Sequence, residues 1–152
     1  MSTVADDNAV YRAIKYRVYP TDAQSEKLSQ TFGCVRKVYN DALSMQRGLY
    51  EAGMPTFGQT ALNAYCNRVW KDEFPFLTEV DKFALTNSIY ALCTAYKNFF
   101  EGRTGYPRYK SRRGEEQSYT TNYTNGNIEV ITRKGKRGFI KIPKVGKVLA
   151  SI

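Results

Sequence analysis

Residues 96–113 read YKNFFEGRTGYPRYKSRR, and two kinds of chain meet inside this stretch. Its first half is the end of a helix with an aromatic finish, Tyr96, Phe99 and Phe100. Gly102 and Gly105 stop that helix and Pro107 prevents its return, because glycine takes the left-handed backbone a helix end needs and proline lacks the amide to continue. Its second half interleaves bases with aromatics: Arg103, Tyr106, Arg108, Tyr109, Lys110, Arg112 and Arg113, with no acid before Glu115. Cations neutralise phosphates and tyrosine rings offer stacking faces to unpaired bases, so this composition suits single-stranded nucleic acid. A solvated basic loop with its tyrosines tucked against the core has the same composition. Both readings stand at this point.

Charge follows the same boundary. The 152-residue chain carries a net +9. Up to Gly102 its eleven bases balance eleven acids; from Arg103 onward twelve bases face only Glu115, Glu116 and Glu129. An excess confined to the last third points to a polyanion, with nucleic acid the commonest. The basic part lacks the long apolar helix face that a membrane-surface anchor uses. The opening residues are polar and no apolar run is long enough to span a bilayer, so a cytoplasmic protein is expected.

Enzyme chemistry finds little to use. There is no histidine, and Cys34, Cys66 and Cys93 are scattered through helical patterns without a C-x-x-C. That argues against a disulfide framework, a zinc site and His-dependent nucleophiles, leaving buried free thiols. No catalytic residue, metal ligand, cofactor or small-molecule substrate is expected.

Working outward, residues 1–9 are expected to be disordered. Residues 10–19 alternate, with Tyr11, Ala13, Lys15, Arg17 and Tyr19 on one side, and predict a strand ended by Pro20. Thr21 and Gln24 form a capping box for a first helix with a stripe of Leu28, Phe32, Val35, Tyr39, Ala42 and Leu49, closed by Gly53 and Pro55. Gly33 inside it suggests close approach to another backbone. Thr56 and Gln59 are expected to cap a second helix, with Leu62, Tyr65, Cys66 and Val69 on one face and an end near Phe74. Thr78 and Asp81 are expected to start a third, buried through Ala84, Ser88, Ala91, Leu92, Ala95 and Phe99. After the basic run, Ser118–Tyr123 and Ile128–Ile131 read as strands about an Asn125-Gly126 hairpin turn. A second turn is expected over Lys134–Gly138, before Phe139–Ile142. The fold class is α+β: a three-helix bundle of residues 20–102, inserted between a first strand and the C-terminal hairpins of residues 103–152, strands that could pair with the first.

Several ordered blocks add a resemblance: YRVYPT, FGCVRKVYN (Phe32–Asn40), EVDKFALTNS (Glu79–Ser88), AYKNFF (Ala95–Phe100), GYPRYKSRR (Gly105–Arg113), SYTTNYTNGNI (Ser118–Ile128) and IPKVGKV (Ile142–Val148). Together they resemble the N-terminal region of the TnpB/OrfB proteins of insertion sequences, RNA-guided DNA endonucleases related to type V CRISPR effectors. That region is also described as a helix-turn-helix transposase domain. The resemblance implies a helical recognition lobe and part of a wedge-type barrel that grips guide RNA, with a short transposon-adjacent duplex DNA motif read between them. On matching positions, the DNA-reading set would be Phe57, Lys82, Phe83, Thr86, Thr124 and Asn125. Phe57 and Thr86 stand where relatives can carry tyrosine or glutamine, which leaves the motif open. Asn125 could hydrogen-bond a base edge or could be only the turn residue before Gly126. The family's RuvC-like carboxylates and zinc ribbon have no counterpart in these residues, so binding without cutting is expected of a chain that looks cut short. A free-standing helix-turn-helix regulator, which would dimerise on symmetric sites, and a general RNA-binding accessory protein remain as alternatives.

Overall fold

The computed structural model describes residues 9–113 and 116–152. The disorder expected for residues 1–9 therefore lies outside the described residues except at Ala9, as does Glu115. In chain order the elements are β1 (Arg17–Tyr19), α1 (Asp22–Glu51), α2 (Gln59–Tyr65), a π-helical turn (Cys66–Trp70), α3 (Lys71–Glu73), a 3-10 turn (Pro75–Glu79), α4 (Lys82–Phe100), β2 (Glu129–Arg133), β3 (Lys136–Ile142) and β4 (Gly146–Ser151).

α1 starts where its capping box dictates. Thr21 Oγ1 accepts from the Gln24 amide at 3.2 Å, and Gln24 Oε1 accepts from the Thr21 amide at 3.0 Å, satisfying two amides that a helix start leaves open. The same Gln24 side chain donates to Lys147 O at 2.8 Å, tying the helix start to β4. One face of α1 then buries Cys34, Val35, Val38, Tyr39, Ala42 and Leu43 against Ala84, Leu85, Ile89 and Leu92 of α4. Leu62, Cys66 and Trp70 of the α2 arm complete the core. Each fully buried Leu or Ile contributes about 1.5–3 kcal/mol. The buried polar side chains are all bonded: Thr31 Oγ1 donates to Lys27 O and Ser88 Oγ to Val35 O, both at 2.8 Å.

Two helix starts and two details of packing differ from expectation. α2 is capped by Gly58, not Thr56, because the buried Gln46 amide holds both the N–H and the C=O of Phe57, at 2.9 and 2.7 Å, and keeps the chain non-helical to that point. α4 is capped by Asp81, whose carboxylate accepts from Phe83 N at 3.0 Å, while Thr78 donates to Pro75 O and closes the 3-10 turn. Its buried face runs through Leu85, Ile89 and Tyr96, leaving Ala91 exposed, since the larger apolar side chains gain more from burial. Gly33 has no close backbone neighbour: a Cβ there would meet only Arg36 Nη2 at 3.8 Å.

The sheet is antiparallel, in the order β1-β4-β3-β2. The first strand does close against the C-terminal ones, but over Arg17–Tyr19 rather than 10–19. Its register pairs Tyr19 with Leu149, Val18 with Ala150 and Arg17 with Ser151. β4 buries Val148 and Ala150; it falls within the β-structure expected of the C-terminal part, but with only two inward apolar residues its bounds are not marked in the sequence. The β2–β3 turn is Lys134-Gly135, tighter than expected. At the bulge between Ile131 and Arg133, Gly138 is required: a Cβ would lie 2.2 Å from Ile131 O. The Asn125-Gly126 turn is present, both residues with positive φ (47° and 73°), yet residues 118–123 form no strand. Side chains take their carbonyls instead, Asn87 Nδ2 on Thr120 O and Asn127 Nδ2 on Asn122 O, each at 2.9 Å.

Candidate nucleic-acid interface

Beside its buried stripe, α1 carries a second one. Phe32, Arg36, Asn40 and Ser44 recur every four residues, followed by Arg47 and Tyr50, and four-residue spacing keeps them on one helix face. The basic segment runs antiparallel along this face. Tyr106 packs edge-on to Phe99, with centroids 5.0 Å apart, and beside Tyr50 at 5.8 Å; Arg47 lies 5.7 Å from its ring. Tyr109 Oη meets Ser44 Oγ at 2.9 Å. Asn40 clamps Lys110, accepting from its amide at 2.8 Å and donating to its carbonyl at 2.9 Å. Arg36 donates to Gln117 Oε1 at 3.0 Å, and Phe32 meets Tyr119 edge-on at 5.7 Å. Residues without regular structure are thus fixed in place by one face of a helix.

That anchoring sorts the seven basic-segment residues. Tyr106 is half-buried, and its hydroxyl shares a 2.6 Å hydrogen bond with the buried Tyr96. Burial, together with that bond, pushes the Tyr96 hydroxyl well above the ordinary tyrosine range. Tyr109 keeps an exposed ring. Arg103 pairs with Glu101 at 3.3 Å, and the Lys110 ammonium sits 4.5 Å over the Tyr39 ring. Arg108, Arg112 and Arg113 face solvent.

The six DNA-reading candidates fall into three places. Lys82 and Phe83, at the start of α4, share a groove of about 490 Å³ with Thr124, which the sequence separates by some forty residues. Asn125 follows Thr124 in the turn, and Lys141 Nζ reaches the Gly126 carbonyl behind it at 3.4 Å. Thr86 lies one turn along α4, its hydroxyl between Asn63 Oδ1 at 3.3 Å and Lys82 O at 3.2 Å. Phe57 lines a different groove of about 370 Å³ with Cys93 and Phe100. The two walls of the first groove are joined by Asp81: besides capping α4, its carboxylate accepts from the Thr121 hydroxyl. Burial first, and the Asp81 charge second, raise the Tyr119 hydroxyl.

Sequence reading did not single out Lys71 and Lys144 of this groove, nor Asn40 and Asn87, which hold the irregular segment. The four-residue spacing through Asn40 was legible; nothing in the sequence marks the others. Among the described residues, no three His, Cys, Asp or Glu side chains gather so as to hold a metal ion, and no helix is long and apolar enough to cross a membrane. Cys34, Cys66 and Cys93 are free thiols, raised by burial.

The fold is α+β, a neutral helical body carrying a basic segment and sheet. Residues 8–54 match a family described as a helix-turn-helix domain, that of OrfB/IS605 proteins; in this chain the span takes in β1 and α1. A Streptomyces pristinaespiralis protein named for RNA-guided DNA endonuclease activity is 43% identical over 111 residues, 72% of this chain and 27% of that protein. InsQ of Escherichia coli (strain K12), similarly named, is 28% identical over 137 residues, 89% of this chain and 32% of its own. Virulence protein VsdF of Salmonella dublin is 29% identical over 114 residues, 68% of this chain and 96% of its own. The chain is a relative of the TnpB/OrfB transposon proteins and matches their N-terminal region; it spans about a third or less of the two endonuclease-named relatives.

Proposed function

We propose that this chain grips nucleic acid on two surfaces without cutting it: a short duplex DNA motif in the groove of Lys82, Phe83 and Thr124, and a guide RNA along residues 103–113. The observation that carries the reading is the groove, where a cation and an aromatic ring at the start of α4 converge with a hydroxyl from a distant loop, beside a turn bearing Asn125. Phe57 and Thr86 extend the DNA side. Arg103, Tyr106, Arg108, Tyr109, Lys110, Arg112 and Arg113 form the RNA side, with Tyr109 supplying the open ring.

Selection of bound molecules from a randomised duplex pool tests the DNA side, and a short enriched motif is expected. Asn125→Gly keeps the left-handed backbone that alanine would strain, so its effect reports on the amide. It should cost about 1–3 kcal/mol on the enriched motif and little on scrambled duplex. A pool with no enrichment, or equal losses on both duplexes, sinks the motif reading. For the RNA side, replacing Arg103, Arg108, Lys110, Arg112 and Arg113 with glutamine should flatten the slope of log K against log salt by about 3.5, at ~0.7 per single-strand contact. An unchanged slope makes the segment a solvated loop.

A further inference from the structure

The groove holds more charge than the motif-reading residues supply. Lys71 from α3 and Lys144 from the β3–β4 turn line it together with Lys82, so cations stand on both its helical and its strand walls. The one acid in the lining is Asp81, and its oxygens are engaged by Phe83 N and the Thr121 hydroxyl. Among the described residues, none of the three lysines has an acidic partner within ion-pair distance. Three cations facing one occupied carboxylate leave the groove positive and matched to a polyanion.

Lys144 adds an independent observation. It has φ +66°, in the left-handed region where a side chain is costly and where glycine or asparagine would be at ease. The tight turn, closed by Val145 N on Ile142 O at 3.1 Å, imposes that backbone. Turn geometry alone therefore gives no reason for a lysine. Such a backbone outlier at the rim of a charged groove is a pointer to function.

The geometry points to Lys71 and Lys144 as a pair of phosphate clamps, one on each wall, that hold the backbone of duplex DNA while other groups read its bases. This inference rests on the duplex-DNA reading of the groove. Clamps of this kind fix position and contribute affinity without sequence information.

The test is a salt titration of the full chain on the enriched duplex and on a scrambled one, comparing wild type with Lys71→Gln/Lys144→Asn. Asparagine suits the left-handed position, so a thermal melt should show no loss of fold from that change. Each lost contact to B-DNA removes about 0.9 from the slope. The double variant should therefore bind with a slope shallower by about 1.8 on both duplexes, its preference ratio between them unchanged. A wild-type chain that binds no duplex ends the parent reading and this one with it. Duplex binding with an unaltered slope in the folded variant overturns the clamp alone. A collapsed preference ratio also overturns it, since the lysines would then be reading sequence. Inorganic triphosphate is the remaining arm: if the variant loses affinity for it but keeps the duplex slope, the groove takes a small polyanion and the inference fails.

Discussion

The two stripes of α1 are held by different physics. The inner one, through Val38, Ala42 and Leu43, is buried against α4 and depends on apolar area removed from water. The outer one, through Phe32, Arg36, Asn40 and Ser44, holds Tyr119, Gln117, Lys110 and Tyr109 by a few hydrogen bonds and a ring edge. Burial is cooperative and non-directional; point contacts are directional and each stands alone. The difference lets a neutral body carry a strongly basic segment. Apolar packing would have had to bury the cations, whereas ties from below leave Arg108, Arg112 and Arg113 open to solvent.

The largest effect that separates the stripes is expected at Leu43, which is fully buried. Leu43→Ala should cost about 2–5 kcal/mol, the lost transfer energy plus a cavity, and lower the melting temperature of the whole molecule. Asn40→Ala should cost less, about 1–3 kcal/mol for two backbone groups left unpaired on Lys110. Its signature is local: amide exchange should accelerate around residue 110 while the α1–α4 amides keep their protection. A loss at Asn40 as global as that at Leu43 would break the distinction and make the segment part of the core.

The same contrast decides what the sequence could reveal. The Thr21–Gln24 box, the end of α4 at Gly102 (φ +75°) and the Asn125-Gly126 turn were legible because each is a local device with fixed residue requirements. The pairing of the first strand with the C-terminal ones was legible as a possibility, from period-two patterning. Residues 118–123 misled for the opposite reason. Their Thr- and Tyr-rich composition suits a strand, but Asn87 and Asp81 on distant elements engage them first. Of the candidate site, Lys82 and Thr124 are reached through family resemblance, Lys82 with the added support of its place at a helix start; no pattern in the chain foretells that they share a groove. Lys144 could not be found, because its oddity is a backbone angle.

Where the stripes meet, the Tyr96–Tyr106 hydroxyl pair gives a smaller effect. Tyr106→Phe removes one hydrogen bond and leaves the Tyr96 hydroxyl unpaired, a loss of about 1 kcal/mol. The pair also sets a pH dependence. Tyr96 is raised in the folded state, by burial first and by its bond to Tyr106 second. The unfolded chain therefore releases this proton at a lower pH than the folded one. The stabilisation is complete below about pH 10, the unfolded tyrosine value, and is lost as pH rises from there toward the folded value. Denaturant midpoints measured above pH 10 should fall more steeply for wild type than for Tyr96→Phe. Parallel curves would mean that Tyr96 ionises as freely in the fold as outside it.

Tyr109 should show the smallest change in stability, and the one that bears most on function. Its hydroxyl bonds Ser44 at the surface, and the residue is 45% exposed. Tyr109→Phe removes a bond that water can replace, so the melt should move by no more than about 0.5 kcal/mol. The ring remains, and if stacking is its role, RNA affinity should hardly change. Tyr109→Ala removes the stacking face and should weaken single-stranded RNA by about 1–3 kcal/mol while leaving the salt slope as it was, because stacking releases no counterions. Tyr106→Ala should do the reverse, lowering the melt through loss of its contacts with Tyr50, Phe99 and Tyr96. Measured together, the three variants place each tyrosine by the quantity it moves. If Tyr109→Ala shifts the melt as far as Tyr106→Ala and leaves RNA binding untouched, both rings belong to the body and the segment offers RNA its charge alone.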